Sequence, residues 1–573
     1  MGSAVLTLGR PAHGPLIWLA GVLLSLLPAN AAEKPTMVEA AHGVVVSVSA
    51  PASDVGRSIL QRGGNAVDAA VATAFALAVT HPAAGNIGGG GFMMIHPGAG
   101  AEPVCVEYRE TAPAAATKTM FQLGESHLGH KAVGVPGTVR GLELAHRRFG
   151  KLPWHELVVP AVRLARDGFP VDRALARSLN EAIGSDDSAS FAELRRVLAA
   201  PDGLEWRAGN ELVQPELART LARIADGGPA AFYEGVVADL IVAEMKAGGG
   251  LIAKNDLAAY RAKIRKPIHT TYRRCDVYGP PPPSSGGICL AEMLNILEPF
   301  ELRDHRRWSA KTVHLMIEAM RRAYLDRARH LGDPDFTEIP PHLPTKRYAA
   351  ELAGQINLGK ATRSADLAKE IPLAPEGEST THFSVIDSDG MGVSNTYTLE
   401  TSYGSRVVVR GAGFLLNNEM GDFNWKPGHT DHRGNIGTEA NQIAPGKRML
   451  SSQTPTIVAR DGNVLLLTGS PGGRTIINTS LCVTLNMLEF QMDLATAVEA
   501  PRLHHQWLPD RVRFEGTGDP RFRTLVEQLR QMGHEIEDRP RRQGDAHSIW
   551  VDPGTGKAYG VADPRTRGKA AAY

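Results

Sequence analysis

Thr380-Thr-His-Phe-Ser-Val-Ile-Asp387, Ser388-Asp-Gly390 and Met391-Gly-Val-Ser-Asn-Thr-Tyr-Thr-Leu399 read as a strand, a tight turn and a returning strand. β-Branched and aromatic residues fill both arms, and Asp-Gly is a strong hairpin signal. With Asp389-Gly390 at the tip, paired positions have numbers summing to about 779, so Thr398 falls opposite or diagonal to Thr380. The preceding segment 361–379 (ATRSADLAKEIPLAPEGES) is small, charged and proline-bearing, without an apolar period. It reads as an exposed linker.

That abrupt change sets a hydroxyl at the first position of a strand. A side-chain hydroxyl is a weak nucleophile until an adjacent base takes its proton. Cleavage of the Ser379–Thr380 bond would give Thr380 both Oγ1 and a free α-amine, a base with an ordinary pKa of ~7.7–8. Thr398 would hold the Oγ1 orientation. Further on, Asn463–Thr468 reads as a strand and Ile477, Leu481, Leu485 and Leu488 as a helix stripe. Between them, Gly469-Ser-Pro-Gly-Gly473 would present backbone amides at the positive end of the helix. Gly472 and Gly473 are therefore candidate oxyanion donors. A plain hairpin with threonine at its edge is the simpler alternative these residues leave open.

Working outward, Gly43–Ser49 reads as a buried strand and Ser53–Arg62 as a helix stopped by Gly63-Gly64. Asn65 is placed to cap a helix with the stripe Val67, Val71, Phe75 and Ala78. A helix after Ser309 shows Val313, Ile317, Met320 and Tyr324 on one face. Its arginines 321, 322, 327 and 329 read as a solvated face, as does Arg539-Pro-Arg-Arg542. Gly279–Gly287, with four consecutive prolines, must be a loop. Gly85-Asn-Ile-Gly-Gly-Gly-Gly91 reads as a tight structural turn, not a dinucleotide loop. His429-Thr-Asp-His432 and His504-His505 read as loop decoration.

Composition bounds the function classes. The 573 residues carry 62 Lys+Arg against 61 Asp+Glu, a net charge of +1 that excludes a chain-wide nucleic-acid footprint. Apolar content of 43% and charged content of 21% fit a packed globular protein. Cysteines 105, 275, 289 and 482 form no CxxC pair, which excludes a disulfide framework or a cysteine zinc module and leaves one disulfide open. Phosphate-loop, dinucleotide, zincin and esterase motifs are absent.

Residues 1–31 carry one charged side chain, Arg10, an apolar run Leu16–Leu27 and an Ala29-Asn-Ala31 end. These are the three parts of a secretory signal peptide. The run falls short of the ~20 residues that span a bilayer. The expectation is a secreted protein, periplasmic or extracellular, with no stable membrane anchor.

Residues 375–474 closely resemble the γ-glutamyltranspeptidases, N-terminal nucleophile hydrolases made as one chain and self-cleaved into two subunits. Gly85–Phe92, Tyr108-Arg-Glu-Thr-Ala-Pro113 and Pro283-Ser-Ser-Gly-Gly287 are similar to the large-subunit motifs. Ser379–Ser384, Asn417-Asn-Glu-Met-Gly-Asp-Phe423, Leu450-Ser-Ser452 and Gly469–Gly473 are similar to the small-subunit motifs. The resemblance implies an α/β fold, a four-layer αββα sandwich, with a large subunit 32–379 and a small catalytic subunit 380–573 interleaved in it. Thr380 would be the nucleophile for self-cleavage after Ser379 and for turnover, with Thr398 as supporting hydroxyl. Arg109 would grip the donor α-carboxylate with Ser451 and Ser452 as further donors, and Glu400, Glu419 and Asp422 would receive the α-ammonium. Many members carry Asn and Gln where Glu400 and Glu419 stand here. The segment 426–447 matches the family's lid, with Arg433 where some members have an aromatic residue.

The reading implied is a γ-glutamyltransferase and glutathione hydrolase. It would pass a γ-glutamyl group from glutathione or a related compound to water, an amino acid or a dipeptide. This chemistry requires neither metal nor organic cofactor. The rivals are a related glutaryl or cephalosporin acylase and a secreted binding protein that never matures.

Overall fold

The computed structural model describes residues 1, 2, 4, 37–122, 125–367, 379–426, 428, 437–539, 541–566 and 568–573, with Ser379 as backbone alone. The segment 5–36, most of the linker, and His429, His432 and Arg433 lie outside the described residues. The chain separates into Met1–Lys34 and Pro35–Tyr573, and both sheets with their helices belong to the second unit.

The hairpin forms as Ser379–Ile386 and Gly392–Glu400, antiparallel, with Asp387 accepting from the amides of Asp389 and Met391 at its turn. It lies in the middle of a seven-stranded sheet. In order, that sheet runs Lys569–Ala572, Val44–Ser47, the two hairpin strands, Gly90–His96, Val104–Glu107 and Lys263–Arg265. A second seven-stranded sheet runs Met37–Ala40, Ala558–Val561, Ser548–Val551, Asn463–Thr468, Thr456–Arg460, Cys275–Gly279 and Ile268–Tyr272. Both sheets mix strands from before and after Thr380.

Alternation along the strands builds the layers. Val44, Val46, Phe92, Met94 and Ile386 meet Ile457, Val464, Leu467 and Ile549 in one core between the sheets. Their neighbours Val45, Met93, Ile95, Phe383 and Val385 point the other way, into helices such as Ala50–Gln61 and Ala66–Thr80. On the far side, Val277, Val458 and Leu466 pack against Gly286–Leu297, Ala310–His330 and Thr475–Leu488. Helix, sheet, sheet, helix is the four-layer arrangement that the sequence resemblance implies.

Local signals account for the helix starts. The Asn65 side chain accepts from the Asp68 amide while Asp68 accepts from the Asn65 amide, a capping box worth about 1 kcal/mol. Every residue of Ala66–Thr80 is buried, which its alanine-rich faces allow. The glycine turn is structural: a Cβ on Gly89 would lie 2.0 Å from the Thr398 carbonyl oxygen, and one on Gly88 2.1 Å from that of Leu415.

Three sequence expectations are corrected. Arg321, Arg322 and Arg327 are buried and Arg329 half-buried, because each long side chain finds acceptors. Glu318 lies against both Arg321 and Arg322, and Arg327 donates to Ser285 and Ser452. His504 and His505 are also buried, not loop decoration: His504 ends a short strand and bonds Asn478, and His505 bonds Asp510. Burial holds both rings neutral, at about 3 and about 4. Residues 361–367 are anchored to the fold, with Ser364 fully buried. All four cysteines are buried free thiols.

Candidate active site

The hairpin register changes where the chemistry would be. Ser379 pairs with Glu400 and Thr381 with Tyr397, so Thr380 alone faces the two residues Thr398 and Leu399. This is a β-bulge, a device that re-aims a side chain. Thr380 Oγ1 donates to Thr398 Oγ1 at 3.4 Å, and Thr398 Oγ1 accepts from the Glu400 amide at 2.8 Å. Asn86 Nδ2 holds the Thr398 carbonyl at 2.9 Å. Glu400 ends the strand at φ +82°, a conformation costly for a glutamate and tolerated more readily by asparagine.

Thr380 and Thr398 open into one cleft with Arg109, Glu400, Glu419, Asp422, Ser451, Ser452 and Gly473. Gln453 and Ile476 also line it, and Gly472 stands just outside the lining. Sequence reasoning missed Gln453 and Ile476, although the first adjoins the serine pair and the second opens the helix after the glycine turn.

Arg109 is 1% exposed and already engaged. Its guanidinium lies 2.6 Å from Glu419 and 3.5 Å from Glu110, pairs closely with Asp422, and donates to the Met449 and Leu450 carbonyls at 3.3 and 3.4 Å. The expected fork thus already pairs with two of the three expected carboxyl groups, Glu419 and Asp422, in this structure. Glu400 accepts from Asn418 Nδ2 at 2.7 Å. The turn Glu419–Asp422 is fixed from outside by Trp425, whose indole donates to the Met420 carbonyl at 2.8 Å. That indole is stacked between Phe121 and His127, with ring centroids 4.1 and 4.2 Å away.

One buried guanidinium cannot balance four carboxyl groups. Burial pushes Glu419 well above the ordinary carboxylate range; Arg109 opposes the shift, while Glu110, Asp422 and Glu400 reinforce it. Burial likewise raises Glu110 to about 8, against the pull of Arg109. Both acids hold their protons more tightly folded than unfolded. Their stabilising contribution is complete below the ordinary value of 4.5 and is lost as pH rises, for Glu110 through about 8. Glu419→Gln is therefore expected to flatten the fall in Tm between about pH 5 and pH 8. Thermal melts across that range check this; a slope equal to that of the unsubstituted protein would contradict a protonated Glu419.

The opposite wall is tied together by the proline-rich loop. Ser285 donates through its amide and hydroxyl to the Ser451 carbonyl at 2.8 and 2.7 Å, and Ser451 N–H donates to Pro283 O at 2.8 Å. Arg327 reaches Ser452 Oγ at 3.0 Å from the helix behind. Gly472 and Gly473 adopt φ +125° and +55°, which favour glycine, and the Tyr324 hydroxyl fastens the adjoining Arg474 carbonyl. Among the described residues, no helix is long and apolar enough to cross a membrane.

Residues 52–573 match the family model for Gamma-glutamyltranspeptidase. The chain is 45% identical over 538 residues to the glutathione hydrolase proenzyme of Escherichia coli, covering 92% of this chain and 91% of that one. It is 36% identical to the acylase ACY 1 proenzyme of a Pseudomonas species, covering 91% and 92%. Among solved structures, cephalosporin acylase from Bacillus halodurans superposes with a TM-score of 0.82 at 28% identity, covering 96% and 99%. With Thr380 near the start of a hairpin strand in the middle of one sheet, this chain belongs to the γ-glutamyltranspeptidase family.

Proposed function

We propose that the protein is a self-cleaving γ-glutamyltransferase and glutathione hydrolase. The observation that carries this is Thr380, set by a bulge over a cleft holding one buried arginine and a ring of carboxyl groups. In the precursor, Oγ1 adds to the Ser379 carbonyl carbon, the C–N bond breaks, and the hydroxyl proton ends on the Thr380 nitrogen. Water then hydrolyses the Ser379–Oγ1 ester, giving a Ser379 carboxylate and a free Oγ1–H. The products are the large subunit 32–379 and the small subunit 380–573, which stay interleaved in both sheets.

In turnover the freed α-amine takes the Oγ1 proton as Oγ1 attacks the γ-glutamyl carbonyl. The Gly472 and Gly473 amides stabilise the oxyanion. Collapse expels the amine half of the donor, which takes the proton held on the Thr380 nitrogen. Water, an amino acid or a dipeptide then resolves the γ-glutamyl–Thr380 ester. The donor's α-carboxylate replaces carboxyl groups on the Arg109 fork, while its α-ammonium takes up Glu419, Asp422 and Glu400. Exchange of one ion pair for another conserves the buried charge balance. The signal peptide 1–31 directs the enzyme to the periplasm or the extracellular space.

The acylase likeness makes the donor's amino group the decisive feature. A γ-glutamyl anilide is expected to turn over at least about 100-fold faster than its glutaryl analogue, the scale of one or two charge-assisted hydrogen bonds. Faster cleavage of the glutaryl compound would make this an acylase instead.

A further inference from the structure

Residues 361–367, the root of the linker before the scissile bond, are held by a cluster outside the cleft. The Ser364 amide donates to Asp510 Oδ2 at 2.7 Å, and the Trp507 indole donates to the Ser364 carbonyl at 3.0 Å. Arg321 donates to both Ser364 Oγ and Asp510 Oδ1. The Thr362 amide donates to Glu318 at 3.1 Å, and the Ala361 amide to the Met532 carbonyl at 2.7 Å. Arg329 closes the segment by donating to the Leu367 carbonyl at 3.1 Å.

The cluster resembles a metal site in one respect only. His314, Glu318 and His534 bring ligand atoms within 4.8 Å of one another. Yet the two imidazoles hydrogen-bond each other at 2.8 Å, and the Glu318 oxygens already accept from Arg321, Arg322 and Thr362. Burial would raise the Glu318 carboxyl, but the arginines and the Thr362 amide outweigh it and hold it at about 2. The guanidinium groups of Arg321 and Arg322 beside the carboxylates of Glu318 and Asp510 make a charge-balanced anchor.

We propose that the Arg321–Asp510–Ser364 cluster positions the linker for self-cleavage at Thr380; this rests on the proposed self-cleavage itself. Attack of Oγ1 on the preceding carbonyl requires the peptide to be presented correctly from both sides. The sheet fixes the downstream side, and the anchor fixes the upstream side at Leu367. Without the anchor, the nearest fixed points upstream are the carbonyls of Gln355 and Asn357, held by Arg322 and His314, so the sequence distance from the last fixed point to the scissile bond roughly doubles. Doubling the sequence distance between two fixed points costs about threefold in closure probability, and lost orientation adds to that. Among the described residues that line the cleft, none is bonded to Asp510 or Ser364. Their contacts are with the linker root, His505 and Glu318, none of which lines the cleft, so matured enzyme has no direct use for them in turnover.

The test follows the full-length precursor by gel and mass in Asp510→Ala and Asp510→Asn, then measures turnover and Tm of the matured enzyme. Asp510→Ala is expected to slow cleavage by about three- to tenfold while kcat and KM after maturation stay within about twofold. Asp510→Asn, which still accepts from the Ser364 amide, is expected to fall between Asp510→Ala and the unsubstituted protein. Unchanged cleavage in Asp510→Ala overturns the proposal, as does a loss of turnover in the matured enzyme that parallels slowed cleavage. An unsubstituted precursor that never cleaves overturns the self-cleavage reading and the anchor with it.

Discussion

Thr380→Ala is expected to remain one uncut chain and to lose all measurable γ-glutamyl turnover. The substitution deletes the single oxygen that serves both steps, and no neighbouring group replaces it. Thr398 Oγ1 is 3.4 Å away, but it accepts from the Glu400 amide and carries no α-amine of its own. A covalent nucleophile of this kind supplies about 10⁴-fold or more of the rate. The fold should survive, because Thr380 sits on a bulge and pairs no apolar surface that alanine would vacate. Thr380→Ser, which keeps the oxygen, is expected to retain cleavage and part of the turnover. Residual cleavage in Thr380→Ala, seen as two bands after prolonged incubation, would assign the attacking group elsewhere.

Arg109→Gln is the second large effect, and it falls on both stability and donor binding. The arginine is buried beside Glu110, Glu419 and Asp422, so its removal takes the guanidinium partner from Asp422 and makes ionisation of either glutamate still costlier. Breaking a buried ion pair by removing one partner costs about 3–5 kcal/mol. The same change removes the only guanidinium among the described residues that line the cleft, and kcat/KM for a γ-glutamyl donor is expected to fall at least about 100-fold. Lysine would not restore a forked, bidentate contact. The double variant Arg109→Gln/Glu419→Gln should recover part of the lost stability but none of the donor affinity. A loss of Tm with unchanged KM would reduce Arg109 to a structural ion pair.

Much of this was legible in the sequence because the deciding signals are local. Asp389-Gly390 sets the hairpin, Asn65 and Asp68 start a helix, and the glycine turn before Thr475 sets amides beside the cleft. The bulge at Thr398-Leu399 was invisible, since a one-residue shift in register leaves no mark on composition. The arginines of Ala310–His330 looked solvated because their acceptors come from distant chain, Asp510 and Ser452 among them. His504 and His505 misled for the same reason, their partners being Asn478 and Asp510. Charge pattern along one helix cannot reveal what tertiary packing brings to its face. Nor could sequence reveal that Arg109 and the carboxyl groups pair with one another before any donor arrives.

Intact-mass analysis of the purified protein is the direct test of whether Thr380 cuts the chain in front of itself. Two chains are expected, one ending at Ser379 and the other with the mass of Thr380–Tyr573 and a free threonine at its N-terminus. A single mass spanning both sides of residue 380, persisting after prolonged incubation, would contradict self-cleavage.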